Sequence, residues 1–270
     1  METGEQRRTA VVTGASSGIG FELAKVFAEN GFDLVIAAED DELDTAAAEL
    51  GRIGPSVEAV KVDLATPEGV ERLYERIGKS AQPVEALALN AGIGAGGACA
   101  TETALDQERR LVDLNVRSTG PLCKLVLADM VARDRGRILI TSSVAATMPG
   151  SFQAVYNASK SFDQSFALAI RNELKDTEVT VTALMPGPTD TEFFERAEME
   201  DTKVGAEEKD DPAEVARQGF EALMAGEERV VGGSLKNKAQ VLAGKLVPDS
   251  KKPQMHREIA EPGTAEEGKS

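Results

Sequence analysis

Apolar residues in this chain follow two alternating patterns. Short continuous runs fall at residues 9–13, 33–37, 57–62, 84–89, 137–141, 179–184 and 229–231. Between them, apolar positions return every three or four residues, as in Phe21, Ala24 and Ala28, in Leu111 and Leu114, and in Leu122 and Val126. A run of about five apolar residues is short for a helix but suits a strand buried on both faces, whereas the second pattern gives a helix one apolar side. Seven such strands separated by helices predict an α/β protein whose parallel sheet is covered on both faces.

The rhythm loosens after Pro186. Residues 187–211 hold several acidic side chains and the aromatic pair Phe193 and Phe194, and read as a mobile flap. Asp211-Pro212-Ala213-Glu214 then opens a helix through Ala225, with Asp211 as N-cap and Pro212 at the first helical position, where its missing N–H is not needed. From Pro248 the composition turns to Lys, Glu, Pro and Gly, so residues 1–247 are expected to form the folded domain and 248–270 a weakly ordered tail. No internal repeat interrupts this organisation.

Composition narrows the function more than the fold. The chain has 270 residues, 41% hydrophobic and 28% charged, a balance that suits one large α/β domain. A formal net charge of −16 repels phosphate backbones and anionic membrane surfaces, so neither nucleic acid nor membrane is an expected partner. The acidity reads as solubility, with adaptation to high salt as the alternative. No stretch is apolar enough to span a bilayer and the first nine residues are polar, so the expected location is the cytoplasm. Cys99 and Cys123 fall in no metal-ligand spacing and read as core or pocket thiols, and no metal is expected. His256 is the single histidine, so a Ser-His-Asp hydrolase or a histidine-ligated zinc enzyme lacks the residues it needs.

The strongest local signal follows the first strand: Thr13-Gly14-Ala15-Ser16-Ser17-Gly18-Ile19-Gly20 runs directly into an amphipathic helix. Gly14, Gly18 and Gly20 allow close backbone approach, and Ser16, Ser17 and Ile19 bring the chain to a helix N-terminus whose free N–H groups suit a pyrophosphate. A glycine loop alone is weak evidence, but one placed between the first strand and helix of an α/β pattern points to nucleotide binding.

The spacing Thr-Gly-x-x-x-Gly-x-Gly resembles the short-chain dehydrogenase/reductase family rather than dehydrogenases with a Gly-x-Gly-x-x-Gly turn. Further marks follow in that family's order: Val62-Asp63-Leu64, Asn90-Ala91-Gly92, Asn115, Ser143, Tyr156-Asn157-Ala158-Ser159-Lys160 and Pro186-Gly187. The resemblance spans residues 9–233. It implies a single-domain, doubly wound Rossmann-type sheet of seven parallel strands, ordered 3-2-1-4-5-6-7, with the site at the carboxyl ends of the strands. The implied reaction is hydride transfer between a nicotinamide cofactor and a carbonyl or secondary alcohol.

The resemblance also implies roles. Tyr156 would donate and accept the proton, and Lys160 would hold the nicotinamide ribose. Ser143 would hydrogen-bond the substrate oxygen, with the adjacent Ser142 as the other choice. Asn115 would anchor a water in the proton path. Asp63 and Leu64 would flank adenine, unless Asp63 is only a strand-end carboxylate. Asn90, Ala91 and Gly92 would close the fourth strand against the cofactor, and Pro186, Gly187 and either Thr191 or Thr189 would meet the nicotinamide end. Tyr156 and Lys160 are four residues apart, at the start of a helix bearing Phe162, Phe166, Ala169 and Leu174, and so share one helix face. Tyrosine titrates near pH 10, so chemistry near neutrality asks for about 3–4 kcal/mol of selective phenolate stabilisation, which a neighbouring cation supplies.

After the second strand, Glu39 stands where a ribose-facing residue is expected. A carboxylate there favours NAD over NADP, because a 2′-phosphate beside it costs about 1–3 kcal/mol. The pocket lining, drawn from Ala145, Met148, Phe152 and Phe193, suggests an uncharged, moderately hydrophobic small molecule. A homo-oligomer, dimer or tetramer, is expected on the helices around 113–133 and 155–174. Two rivals stand beside the oxidoreductase: an epimerase or dehydratase of the extended branch, and a non-catalytic module sensing NAD(P).

Overall fold

The computed structural model describes residues 8–80, 82–244 and 246–265. Its sheet is built from β1 (Arg8–Thr13), β2 (Phe32–Ala38), β3 (Val57–Lys61), β4 (Val84–Leu89), β5 (Gly136–Thr141), β6 (Val179–Pro186) and β7 (Arg229–Gly232). All seven are parallel, in the order β3-β2-β1-β4-β5-β6-β7. Val11 pairs with Val35 on one side and Leu87 on the other, and the chain reverses its direction of winding between β1 and β4. Loops therefore diverge there at the strands' carboxyl ends and leave a crevice.

Strand alternation assigns each helix to a face. Val11, Val35, Val60, Leu87 and Ile138 point to the side covered by α3 (Pro67–Ile77), α5 (Thr119–Ala132) and α6 (Ala154–Glu173). Ala10, Val12, Ile36, Ala88 and Leu139 point to the side covered by α1 (Gly18–Glu29), α2 (Glu42–Gly51) and α9 (Pro212–Ala225). The second core closes on three aromatic rings, Phe27, Phe32 and Phe220, which meet edge to face at centroid distances of 5.1 to 6.4 Å.

Helix ends follow local chemistry. Asp211 Oδ1 accepts from the N–H of Ala213 at 2.9 Å and starts α9, which stops at Gly226 with φ of +67°. α4 (Leu105–Val112) runs through a widened turn over Asp113–Ser118 into α5, and Asn115 sits in that turn. The flap carries two single-turn helices, α7 (Phe193–Arg196) and α8 (Lys203–Ala206), around a small cluster of Phe194, Ala197 and Met199. α10 (Leu235–Gly244) follows β7.

One expectation meets a different local structure. The stretch after Pro248, read from composition as a weakly ordered tail, contains α11 (Lys252–Ala260), which buries His256 and Ala260 and packs on α8; residues 266–270 lie outside the described residues. So few buried positions leave no apolar period to read. On α6 the buried stripe is Tyr156, Lys160, Asp163, Ala167 and Ile170. Ala169 is exposed, and Phe162 and Phe166 stack half-buried at 5.6 Å. No helix among the described residues is long and apolar enough to cross a membrane.

Candidate active site

The crevice at the carboxyl ends of β1, β4, β5 and β6 is a cleft of about 530 Å³, and it gathers most of the expected residues. Along it lie Gly14, Ser16, Ser17, Gly18, Ile19, Gly20, Glu39, Asp63, Leu64, Asn90, Ala91, Gly92, Ser143, Tyr156, Lys160, Pro186, Gly187, Thr189 and Thr191.

The glycine turn is tight for a steric reason. A Cβ on Gly20 would lie 1.9 Å from the carbonyl oxygen of Gly14, and Gly14 itself holds a φ of +65° against Ala91. A Cβ on Gly18, φ +54°, would press on the Thr191 methyl at 2.9 Å, so Thr191 lies directly over the turn. Thr189 is buried, its hydroxyl donating to the Gly187 carbonyl at 2.9 Å. Gly187 is hemmed in by the Asn237 side chain. Thr13 Oγ1 accepts from the N–H groups of Asn90 and Ala91 at 2.9 and 3.0 Å, which locks the end of β4 against the turn. Ser17 places no side-chain cap on α1, leaving the helix N-terminus open to an anion.

Beyond β2 the arrangement differs from what Glu39 alone suggested. Glu39 and Asp63 both bind one guanidinium, that of Arg110 on α4; the Asp63 contact is 3.1 Å and the Glu39 bond is shorter still. Asp63 Oδ1 also accepts from the N–H of Ala65 at 2.9 Å. The residue that turns to the glycine loop is Asp40, whose Oδ2 accepts from Ser16 Oγ at 2.9 Å. Asp40 Oδ1 is enclosed without a partner, and the residue lines the cleft beside the turn. The glycine cradle, the open helix end and the Asp40 carboxylate beside them together fit a dinucleotide. Asp40 and Arg110 escaped the sequence reading because one is hidden in an acidic run and the other comes from a distant helix.

At the other end of the cleft, Tyr156 packs against Phe193 at 5.2 Å and is 9% exposed. Burial pushes its phenol up, while the Lys160 charge and a hydrogen bond with Ser143 pull it back and Asp163 pushes it further up. In the protein alone the phenol thus stands above its ordinary value, opposite to the lowering that turnover near neutrality requires. Lys160 Nζ donates to the Thr141 carbonyl at 2.9 Å and to Asp163 Oδ2 at 3.1 Å, with both side chains buried. Asp163 went unread because a carboxylate three residues after a lysine usually marks a solvated pair.

The two serines separate by their partners. Ser142 Oγ donates to the Lys160 carbonyl at 2.8 Å, whereas Ser143 Oγ accepts from Ala145 N–H at 3.1 Å and stands beside Tyr156. Asn115 is fully buried and commits its amide: Oδ1 accepts from Ile93 N–H at 2.9 Å, and Nδ2 donates to Ile93 O and Ser159 Oγ, each at 3.0 Å. It thereby ties the widened turn to the loop after β4. Phe152, expected in the pocket, instead faces the Arg257 guanidinium at 5.1 Å. Cys123 lies in the core, where burial pushes its thiol up to about 12, and Cys99 is exposed. No group of three or more potential metal ligands occurs among the described residues.

The chain is similar to known proteins. Residues 8–202 match the family described as short chain dehydrogenase. The 1-deoxy-11-beta-hydroxypentalenate dehydrogenase of Streptomyces exfoliatus is 36% identical over 211 residues, covering 75% of this chain and 77% of its own. The rat dehydrogenase/reductase SDR family member 7B is 32% identical over 228 residues, covering 79% and 69%. Among solved structures, a short-chain dehydrogenase from Sphingobium yanoikuyae in complex with NADPH superposes with a TM-score of 0.78 at 28% identity, over 88% of this chain and 93% of that one. With the glycine turn, the sheet order and the Ser143–Tyr156–Lys160 grouping all in place, the chain belongs to the short-chain dehydrogenase/reductase family.

Proposed function

We propose that this oxidoreductase reduces a small, uncharged carbonyl compound, or oxidises the matching secondary alcohol, with Tyr156 as proton carrier and NAD as the preferred cofactor. The observation that carries the reading is the convergence of Ser143, Tyr156 and Lys160 in the cleft that begins at the glycine turn. A bound nicotinamide supplies or accepts the hydride. In the reductive direction Tyr156 gives its phenolic proton to the substrate oxygen, and Ser143 donates a hydrogen bond to the same oxygen as charge develops there. The Lys160 ammonium stabilises the phenolate left behind, and its hydrogens also suit ribose hydroxyls. Asn115 acts on the proton path by position, holding the loop after β4 and Ser159 in place.

The preference for NAD rests on Asp40 and Glu39, both lining the cleft past β2. The Asp40 carboxylate, held beside the glycine turn by Ser16, repels a 2′-phosphate at about tenfold to a hundredfold in affinity. Arg110 is already shared by Glu39 and Asp63 and is less able to receive a phosphate. The same reading makes the protein a cytoplasmic homo-oligomer joined through α5 and α6, where the half-buried Phe162 and Phe166 stack supplies apolar surface.

Cofactor absorbance during incubation with ketones, aldehydes and secondary alcohols tests the reaction, and kcat/KM with NADH against NADPH tests the preference. Cofactor binding without turnover of any compound would favour the sensing module, and a higher kcat/KM with NADPH would overturn the assignment of Asp40. Light scattering reads the oligomer directly.

A further inference from the structure

α11 closes over the loop that joins Ser143 to Tyr156. Ser151 Oγ donates to the Pro253 carbonyl at 2.9 Å, His256 Nδ1 lies 2.8 Å from the Ser151 carbonyl oxygen, and the Arg257 guanidinium stands over the Phe152 ring. A carbonyl oxygen only accepts, so Nδ1 carries the proton. Burial drives the imidazole below its ordinary pKa, which keeps the ring uncharged near neutral pH and leaves a lone pair on Nε2.

That lone pair has no hydrogen-bond partner among the described residues, although the side chain is 4% exposed. Nε2 is also not sealed in the core, since it is absent from the fully enclosed unpaired atoms. His256 and Ile259 line the cleft with Met148, Gln153, Phe194 and Val204. Among these six, only His256 and Gln153 have polar side chains, and the Gln153 amide is turned to the Met199 sulfur at 3.0 Å. This stretch of the wall is therefore largely apolar, and His256 Nε2 is an acceptor of fixed tautomer on it.

We infer that His256 forms a substrate subsite in which Nε2 accepts a hydrogen bond from a hydroxyl group remote from the reacting carbon, making the substrate a hydroxyketone and its reduced form a diol. This rests on the oxidoreductase reading above and names the substrate class it leaves open. An entirely apolar ligand filling the wall would strip water from Nε2 and return no donor. A hydroxyl supplies the donor, and an ether of similar length cannot. A site built to hydrogen-bond a hydroxyl discriminates against analogues that lack it.

The test compares kcat/KM for three series of methyl ketones from pentanone to decanone: unsubstituted, bearing a terminal hydroxyl, and bearing a terminal methoxy group. Scanning length lets one member bridge Tyr156 and His256. The expected result is a hydroxyketone preferred about tenfold over both partners at one chain length. In His256→Leu that ratio falls to about one, whereas Ser151→Ala, which removes only the clasp to Pro253, keeps it. A wild-type ratio near one at every length overturns the subsite, and so does a preference that survives in His256→Leu. If Ser151→Ala loses the ratio as His256→Leu does, the effect belongs to helix docking and the subsite is again overturned. Turnover of no member of any series with NADH or NADPH overturns the carbonyl-reduction reading itself, and the subsite with it.

Discussion

Asp163 lies three residues beyond Lys160 on α6, and its carboxylate meets the ammonium at 3.1 Å, with side-chain exposures of 2% and 6%. An acid at this depth partly cancels the charge that is to stabilise the Tyr156 phenolate. Seven residues separate Tyr156 from Asp163, so two helical turns place their backbones about 10 Å apart. At an effective dielectric constant of about 20, one charge at that distance is worth about 1.6 kcal/mol, a little over one unit on the pH axis. Burial pushes the Asp163 carboxyl up and Lys160 draws it back, so its influence is greatest where the pair is fully ionised. Asp163→Asn keeps the shape and removes the charge. Tyr156 then ionises more easily, and the sign follows: alcohol oxidation, which needs phenolate, gains its rising limb at lower pH by about one unit, and carbonyl reduction, which needs phenol, loses activity at correspondingly lower pH. Profiles of kcat/KM against pH in both directions check this. An unmoved limb, or one displaced to higher pH, would refute the reasoning and leave Asp163 as a packing residue only.

Tyr156→Phe should retain cofactor binding by fluorescence titration while kcat/KM falls by far more than about tenfold, since only the transferable proton is lost. Ser143→Ala should lower kcat by about a hundredfold, whereas Ser142→Ala should cost about 1 kcal/mol in denaturant unfolding and leave turnover largely intact, its hydroxyl being committed to the Lys160 carbonyl. The reverse pattern would exchange their roles. In Gly20→Ala the new methyl meets the Gly14 carbonyl oxygen at 1.9 Å, so the turn must open and cofactor affinity should collapse, as calorimetry would report. Asp40→Asn should shift the NADH to NADPH ratio toward NADPH by about tenfold and Glu39→Gln much less; equal effects would mean that Arg110 does not hold Glu39 away from the ribose.

The fold was legible in the sequence because its signals are local. Strands buried on both faces must be apolar, helices covering a sheet must repeat every three or four residues, and a turn in which backbone meets backbone must be glycine. Spacing puts Tyr156 and Lys160 on the same helix face, since four residues return to it, and the family's motif order, with Ser143, marked them as a site. What the sequence could not convey is which polar side chains meet after the chain has crossed the sheet. Glu39, Asp63 and Arg110 come from three separate elements, so their shared ion pair depends on the order of β3, β2, β1 and β4. Asp40 was indistinguishable from its acidic neighbours until the end of β2 was set against Ser16. Asp163 and His256 look like solvated groups in one dimension, and only tertiary packing removes them from water. Burial depends on what lies across from a residue, and for a polar side chain that neighbour leaves no period in its own sequence.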